Sequence, residues 1–214
     1  MKKIVILILL LAQVFGVSRA AQKADTEKAD TEKADTIKTA LLIVDIQHFY
    51  FPGDGPGLVN VHQAAIAAGK VLKVFRDRNL TVVHVRHQAS KGFEIHSSVE
   101  PLSGEKVITK KEVNSFQGTD LLEYLKQNKI TRLVVIGMQT HMCLEAAVRA
   151  GHDFGFQCIV IKDACATKDL KFDGKVIAAD DVHNSTFATL TAGGYSKVIN
   201  LEEFTNEPDK YITK

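Results

Sequence analysis

Apolar residues along most of the chain follow two alternating patterns. Residues 40–44 and 133–137 are nearly continuous apolar runs, which are typical of strands buried on both faces of a parallel sheet. The pattern predicts six strands, at 40–44, 80–85, 107–109, 133–137, 156–161 and 197–199. Between them apolar residues recur with the helical period, which predicts helices over 61–75, 121–125, 141–154 and 182–192.

Strands that alternate with helices predict a doubly wound α/β fold. The expected architecture is a three-layer α/β/α (Rossmann-like) domain with a six-stranded, mostly parallel sheet, spanning residues 39–214. Sites in such domains lie beyond the carboxyl ends of the strands, near the point where the strand order reverses. Asp45, Lys110 and Cys143 each follow a predicted strand, so we expect these three side chains to lie close together.

The first 20 residues have the organisation of a secretory signal peptide. Lys2 and Lys3 precede an apolar run over residues 4–12, and a small-x-small site ends at Ala20. The run is well short of the roughly 20 residues that a membrane-spanning helix needs, which disfavours an uncleaved anchor. We therefore expect cleavage after Ala20 and an exported protein, periplasmic or secreted.

Residues 21–38 contain a five-residue repeat of Lys-Ala-Asp-Thr-Glu type, which predicts a charged, disordered linker. The net charge of +2 is distributed unevenly along the chain. Residues 1–20 carry +3 and residues 21–38 carry −1, which leaves residues 39–214 neutral. A neutral domain argues against nucleic acid or an anionic membrane as a partner and favours a small-molecule substrate.

Cys143 is the candidate nucleophile. It stands about three residues past Thr140, a plausible helix start, where the helix dipole and a nearby Lys110 are expected to lower the thiol pKa. Asp45 is suited to take the thiol proton and return it to a leaving amine. On spacing alone the signal is weak, because a lone cysteine is more often a small buried hydrophobe than a nucleophile.

From Ala40 onward the chain resembles the isochorismatase-like cysteine hydrolase family. The segments that carry the resemblance are 42–47 (Leu-Ile-Val-Asp-Ile-Gln), 107–110, 114–116, 119–121, 137–143 (Gly-Met-Gln-Thr-His-Met-Cys) and 163–167. The resemblance implies that Asp45 is the general base, Lys110 stabilises the thiolate and Cys143 is the nucleophile. Lys110 is preferred over Lys111 because the family lysine stands six residues before the phenylalanine, here Phe116.

The resemblance also implies a reaction. Family members that cleave a vinyl ether lack the cysteine, so Cys143 favours hydrolysis of an amide or related C–N bond through a thioester. A cis peptide between Met138 and Gln139 is implied, with the N–H groups of Gln139 and Cys143 as oxyanion hole. A homo-oligomer, dimer or tetramer, is expected on the same basis. Ether or imide hydrolysis, and a non-enzymatic ligand-binding member, remain alternatives.

We predict no cofactor and no catalytic metal. Nicotinamidases of this family hold a metal with an Asp-x-His motif after the second strand, and here that stretch reads His-Val-Arg-His-Gln from His84. His84 and His87 are three residues apart on a strand and point to opposite faces, which makes them a poor chelating pair. Both are interpreted as polar residues near a strand end.

Several further residues lie close in sequence to these catalytic positions. Candidate pocket residues are His48, Phe49, Tyr50, Phe116 and His141, with burial in the core as the alternative for the aromatic ones. His183 is interpreted as a packing residue. Cys158 is expected to be buried, and a Cys158–Cys165 disulfide is left open, although three cysteines are an unusual number for a disulfide framework.

Overall fold

The computed structural model describes residues 37–53 and 57–213. The predicted signal peptide and almost all of the predicted linker lie outside these residues. Among the residues described, no helix is both long and apolar enough to cross a membrane.

The centre of the domain is a six-stranded sheet in which every pair of neighbouring strands is parallel. Its strands are β1 (Thr39–Val44), β2 (Thr81–His87), β3 (Lys106–Lys110), β4 (Arg132–Met138), β5 (Gln157–Ala166) and β8 (Lys197–Ile199), arranged in the order β3-β2-β1-β4-β5-β8. A two-stranded antiparallel hairpin, β6 (Leu170–Phe172) and β7 (Lys175–Ile177), follows β5. The order reverses between β1 and β4, so the loops after these two strands lie at the switch point.

Helices cover both faces of the sheet, which gives the predicted three layers. They are α1 (Val61–Asp77), α2 (Leu121–Gln127), α3 (Glu145–Asp153), α4 (Ala179–Ala192), α5 (Leu201–Asn206) and α6 (Pro208–Ile212). Apolar residues of α1, α5 and α6 form one core with one face of the sheet, and those of α2, α3 and α4 form a second core with the other. In β1, Leu41 and Ile43 belong to the first core, whereas Leu42 and Val44 belong to the second. This burial on both faces explains the continuous apolar run.

The element bounds differ from the predicted ones in places that affect the site. β2 continues two residues beyond the predicted end, to His87. β5 continues to Ala166, and its pairing with β4 shifts register between Val135 and Gly137. The hairpin and the two C-terminal helices were not predicted. The hairpin leaves Phe172 77% exposed, so no burial pattern marks it in the sequence.

His84 is part of a charged network on the face of β2 opposite His87. Its Nε2 lies 2.8 Å from Glu105 Oε2, and Glu105 also accepts two hydrogen bonds of 2.8 Å from the Arg76 guanidinium. Burial raises the pKa of Glu105, but hydrogen bonds from Arg76, the Leu102 N–H and His84 outweigh it and lower the pKa to about 2. The network ties α1 to β2 and to the loop that leads into β3.

Glu105→Gln is expected to destabilise the protein in a pH-dependent way. Because the folded-state pKa is depressed, the carboxylate contributes stability above its ordinary pKa near 4.5, and this contribution disappears as the pH falls toward about 2. Solvent screens part of the network, so we expect a loss of about 1–2 kcal/mol at pH 7. Urea unfolding of both proteins between pH 7 and pH 2.5 measures the difference. A loss that stays constant over this range would contradict the assignment.

Candidate active site

Asp45, Lys110 and Cys143 come together at the carboxyl end of the sheet, as the sequence predicts. Asp45 follows β1, Lys110 is the last residue of β3, and Cys143 lies in the turn after β4. Asp45 is 0%, Lys110 1% and Cys143 5% exposed. A buried carboxylate, ammonium and thiol in contact form a reaction centre that is shielded from bulk water.

Asp45 has an unusual backbone conformation that directs its carboxylate into this centre. Its φ is 51°, in the left-handed region that aspartate adopts more readily than most residues. The Asp45 N–H donates to the Val85 carbonyl at 2.9 Å, so the turn remains attached to β2. Oδ2 lies 2.8 Å from Lys110 Nζ, and the buried carboxylate also has a hydrogen bond with the Cys143 thiol.

Lys110 connects the carboxylate to the thiol. Its Nζ donates to Cys143 Sγ at 3.2 Å and to the Glu112 carbonyl at 3.0 Å, in addition to the ion pair with Asp45. Lys111 is exposed to solvent. The geometry therefore favours Lys110 over Lys111 as the cation of the centre.

The turn that carries Cys143 begins with a cis peptide between Met138 and Gln139, as the resemblance implies. Residues Thr140–Leu144 then form a single turn of π-helix before α3, where a continuous helix from His141 is predicted. The Gln139 carbonyl accepts the N–H groups of Met142 at 3.0 Å and Leu144 at 3.3 Å. This closed turn fixes the backbone on either side of the nucleophile.

The thiol pKa is not lowered, so this expectation is wrong. Burial, followed by the negative charge of Asp45, raises the pKa of Cys143 to about 12, and Lys110 offsets only part of this increase. Burial also raises the pKa of Asp45, and contact with Lys110 opposes that rise. A raised thiol pKa favours activation of Cys143 by a base within the site over spontaneous ionisation.

Of the candidate pocket residues, Tyr50 interacts electrostatically with both Asp45 and Cys143. Its hydroxyl interacts with the Gln139 side chain, and burial, followed by the nearby charge of Asp45, raises its pKa. Phe49 packs beside it, with ring centroids 4.2 Å apart. The side-chain oxygen of Gln139 is buried and has no hydrogen-bond partner among the described residues. Tyr50 and Gln139 thus present polar groups next to the nucleophile.

The other candidates have different surroundings. Phe116 is 7% exposed and packs against Phe154 and Phe156, which supports the alternative interpretation that it is a core residue. The ring of His48 lies 5.1 Å from the ring of His96, in an aromatic cluster after β1. His141 Nδ1 lies 2.7 Å from Thr167 Oγ1.

His183 and the two remaining cysteines play supporting roles in the structure. His183 Nδ1 lies 2.9 Å from Thr140 Oγ1, which also donates to the Ala166 carbonyl, so His183 packs against the turn of the nucleophile. All three cysteines are free, and Cys158 and Cys165 both lie in β5 and are buried. The disulfide left open by the sequence is absent.

His87 is the site residue that sequence reasoning missed. Its Nδ1 lies 3.2 Å from Lys110 Nζ, and the register of β2 and β3 pairs the two residues directly. His87 is the polar last residue of β2, as interpreted, but its contact with Lys110 also places it at the reaction centre. A predicted β2 that ends at residue 87 rather than 85 would have indicated that His87 lies at the same edge of the sheet as Lys110.

Asp45, His87 and Cys143 also have the spacing of metal ligands. One donor atom of each lies within 4.8 Å of the others, and no other group of this kind occurs in residues 37–53 and 57–213. However, Lys110 Nζ is already in contact with all three side chains. Since a cation already sits among these atoms, and the Asp-x-His motif is missing, these residues do not fit the metal site of nicotinamidases.

Comparison with known proteins identifies the family. The isochorismatase domain model matches residues 39–192, which is most of the chain. The chain belongs to the isochorismatase family. The uncharacterized isochorismatase family protein YddQ of Bacillus subtilis is 41% identical over 177 residues, which cover 78% of this chain and 98% of that protein.

A solved structure and a named enzyme extend the comparison. A crystal structure of an isochorismatase-type protein from Oleispira antarctica superposes with a TM-score of 0.74 and 39% identity over 79% of this chain and 96% of that chain. Ureidoacrylate amidohydrolase RutB of Cronobacter turicensis is 29% identical over 117 residues, or 54% of this chain and 47% of that enzyme. The protein is thus an isochorismatase-family hydrolase.

Proposed function

We propose that the protein is a cysteine-dependent hydrolase that cleaves an amide or related C–N bond of a small molecule through a thioester. The observation that carries this proposal is the contact of Lys110 Nζ with both Cys143 Sγ, at 3.2 Å, and Asp45 Oδ2, at 2.8 Å. A nucleophile, a base and a fixed cation that balances the thiolate are together suited to acyl transfer. The amidohydrolase name of the RutB relative is consistent with a C–N bond as the target.

In the first half of the reaction, Asp45 removes the proton from the Cys143 thiol as Sγ attacks the carbonyl carbon. The protonated Asp45 then gives this proton to the nitrogen, the C–N bond breaks and the amine or ammonia leaves. The raised pKa of Asp45 suits this exchange, because a base must also be able to act as an acid. The Lys110 ammonium balances the negative charge of the thiolate while it exists.

The second half returns the enzyme to its starting state. A water molecule attacks the thioester carbon, and Asp45 takes its proton. The tetrahedral intermediate collapses with departure of the Cys143 thiolate, which recovers the proton from Asp45. The products are a carboxylic acid and an amine, and no external oxidant or reductant is needed.

The oxyanion of both tetrahedral intermediates is proposed to bind the backbone N–H groups of Gln139 and Cys143. Both groups belong to one short backbone segment, the π-helical turn Thr140–Leu144 and the residue before it, which supports this proposal. Donors fixed by the backbone are effective in such a site because they need no reorganisation during the reaction.

A panel of small primary and secondary amides, ureides and imides tests the proposal. We expect ammonia or amine release from at least one amide, and a mass increase equal to the acyl group on the peptide that contains Cys143 after acid quenching. Vinyl ethers and a ligand-binding assay without turnover serve as comparison arms. Turnover of ethers alone, or binding without any acyl adduct, would contradict the proposal.

Removal of metals is expected to leave activity unchanged. The reason is that Lys110 already occupies the position between Asp45, His87 and Cys143 that a cation would need. Dialysis against EDTA, followed by assay with and without added Zn²⁺, measures this. Loss of activity on chelation with recovery on adding zinc would overturn the prediction.

A further inference from the structure

Hydrogen bonds between the Gln47 side chain and the backbone of His87 hold this residue at the reaction centre. The His87 N–H donates to Gln47 Oε1 at 2.7 Å, and the His87 carbonyl accepts from Gln47 Nε2 at 2.9 Å. Gln47 is fully buried, and its Nε2 also donates to the Phe93 carbonyl at 2.7 Å. A buried side chain that makes these paired contacts fixes the end of β2, and with it the imidazole beside Lys110.

Lys110 has more acceptors than hydrogens. An ammonium group has three N–H donors. Four acceptors lie within reach of Nζ: Asp45 Oδ2 at 2.8 Å, the Glu112 carbonyl at 3.0 Å, and Cys143 Sγ and His87 Nδ1 at 3.2 Å each. Two of the three hydrogens bond to the oxygens of Asp45 and Glu112. His87 and Cys143 therefore compete for the remaining hydrogen.

We propose that His87 is a positioning residue that acts through Lys110 on the nucleophile. Its Nδ1 is unprotonated and accepts from Nζ, because a proton on Nδ1 would point directly at a cation. While Cys143 is a neutral thiol, a weak acceptor, the third ammonium hydrogen is shared between Cys143 Sγ and His87 Nδ1, which lie equally far from Nζ. When Sγ becomes a thiolate, this hydrogen turns to the sulfur, and Lys110 is already in place.

Of the four side chains that meet here, His87 is the one that solvent reaches. It is half-buried and lines a cavity of about 420 Å³ together with Gln88, Ala89, Ser90 and Lys111, whereas Asp45, Lys110 and Cys143 are buried. An imidazole here separates the ammonium from water on this side. Without it, water would compete for the ammonium hydrogens and allow Nζ to move away from Sγ.

Variants of His87 separate positioning from mere packing. We expect His87→Leu, which removes the acceptor, to lower kcat by about 10–100-fold with little change in KM, as for other residues that orient a reacting group. His87→Asn places an amide oxygen close to the position of Nδ1 and should recover most of the activity. His87→Gln places that oxygen one methylene further away and should not, which keeps the test valid if the leucine variant fails to fold.

The measurement of kcat rests on the proposed function. A second measurement therefore uses no substrate. The rate at which iodoacetamide alkylates Cys143 at pH 8, followed by mass spectrometry of its peptide, reports how readily the thiolate forms. We expect this rate to fall about tenfold in His87→Leu and His87→Gln and to be close to wild type in His87→Asn. His84→Asn is the matched control, because His84 is on the same strand but faces Glu105, and it should leave the rate unchanged.

The two readouts distinguish the two proposals. If no amide is hydrolysed but alkylation follows the predicted order, the proposed function fails and the role of His87 stands. If amides are hydrolysed and His87→Leu matches wild type in both kcat and alkylation rate, the positioning role is wrong. Equal losses in His87→Asn and His87→Leu would also overturn it, since a structural role alone would then suffice.

Discussion

Cys143→Ala is expected to lower kcat by at least about 10⁴-fold, because the proposed reaction has no other group that can form the thioester. Cys143 is 5% exposed and packs at the edge of one of the two cores, so loss of one sulfur atom leaves the fold intact. Measured turnover on a substrate found in the amide panel, together with loss of the acyl adduct, tests this. A thermal melt close to that of the wild type shows that the variant is folded.

Cys158→Ala is the matched control for the nucleophile. Cys158 is also buried, at 6% exposure, but its Sγ points to the Val148 carbonyl of α3 rather than to the site. We expect a destabilisation of about 1 kcal/mol with kcat unchanged. If Cys143→Ala retains activity comparable to Cys158→Ala, the cysteine mechanism is wrong for this protein.

The raised pKa of the Cys143 thiol makes the nucleophile dependent on Asp45 in the proposed reaction. In the proposed reaction a base takes the proton of Cys143 during the attack, because burial and the charge of Asp45 raise the pKa of the thiol to about 12. The same burial that raises the pKa of Asp45 makes that residue a competent partner. Asp45 and Cys143 therefore work as a unit, and losing either one is expected to remove most of the rate.

Much of the fold can be predicted from the sequence because helices cover both faces of the sheet. Strands such as residues 40–44 and 133–137 must be apolar throughout, and this distinguishes them from helices and loops. The residues that follow those strands could be expected to meet at one edge, and they do. The hairpin Leu170–Ile177 was missed because its side chains are largely exposed, so no burial pattern records it.

Parts of the site depend on distances that the sequence does not contain. His87 and Lys110 are 23 residues apart, and only the pairing of β2 with β3 places Nδ1 beside Nζ. The sign of the thiol pKa shift likewise depends on how completely the surrounding core excludes water. The motif from Gly137 to Cys143 indicates the nucleophile, yet it carries no information about its burial.

Gly137→Ala is expected to cost about 4 kcal/mol or more of folding stability and to abolish activity. The φ of Gly137 is 134°, which side-chain-bearing residues rarely adopt, and a Cβ here would lie 1.9 Å from the Val44 carbonyl oxygen and 2.7 Å from its carbon. Both atoms belong to the backbone of β1, which is hydrogen-bonded to β2 on one side and β4 on the other. β1 therefore cannot move away without breaking the centre of the sheet.

Gly155→Ala isolates the part of this effect that comes from backbone strain. Gly155 also has a left-handed φ, of 90°, but a Cβ there meets no atom within 4 Å. We expect it to lose only about 1–2 kcal/mol in urea unfolding, with activity retained. The difference in unfolding free energy between Gly137→Ala and Gly155→Ala then measures the effect of the close approach of β4 to Val44, the residue before Asp45. Equal losses in the two variants would show that this approach is not required, and that the carboxylate and the nucleophile are held together by other contacts.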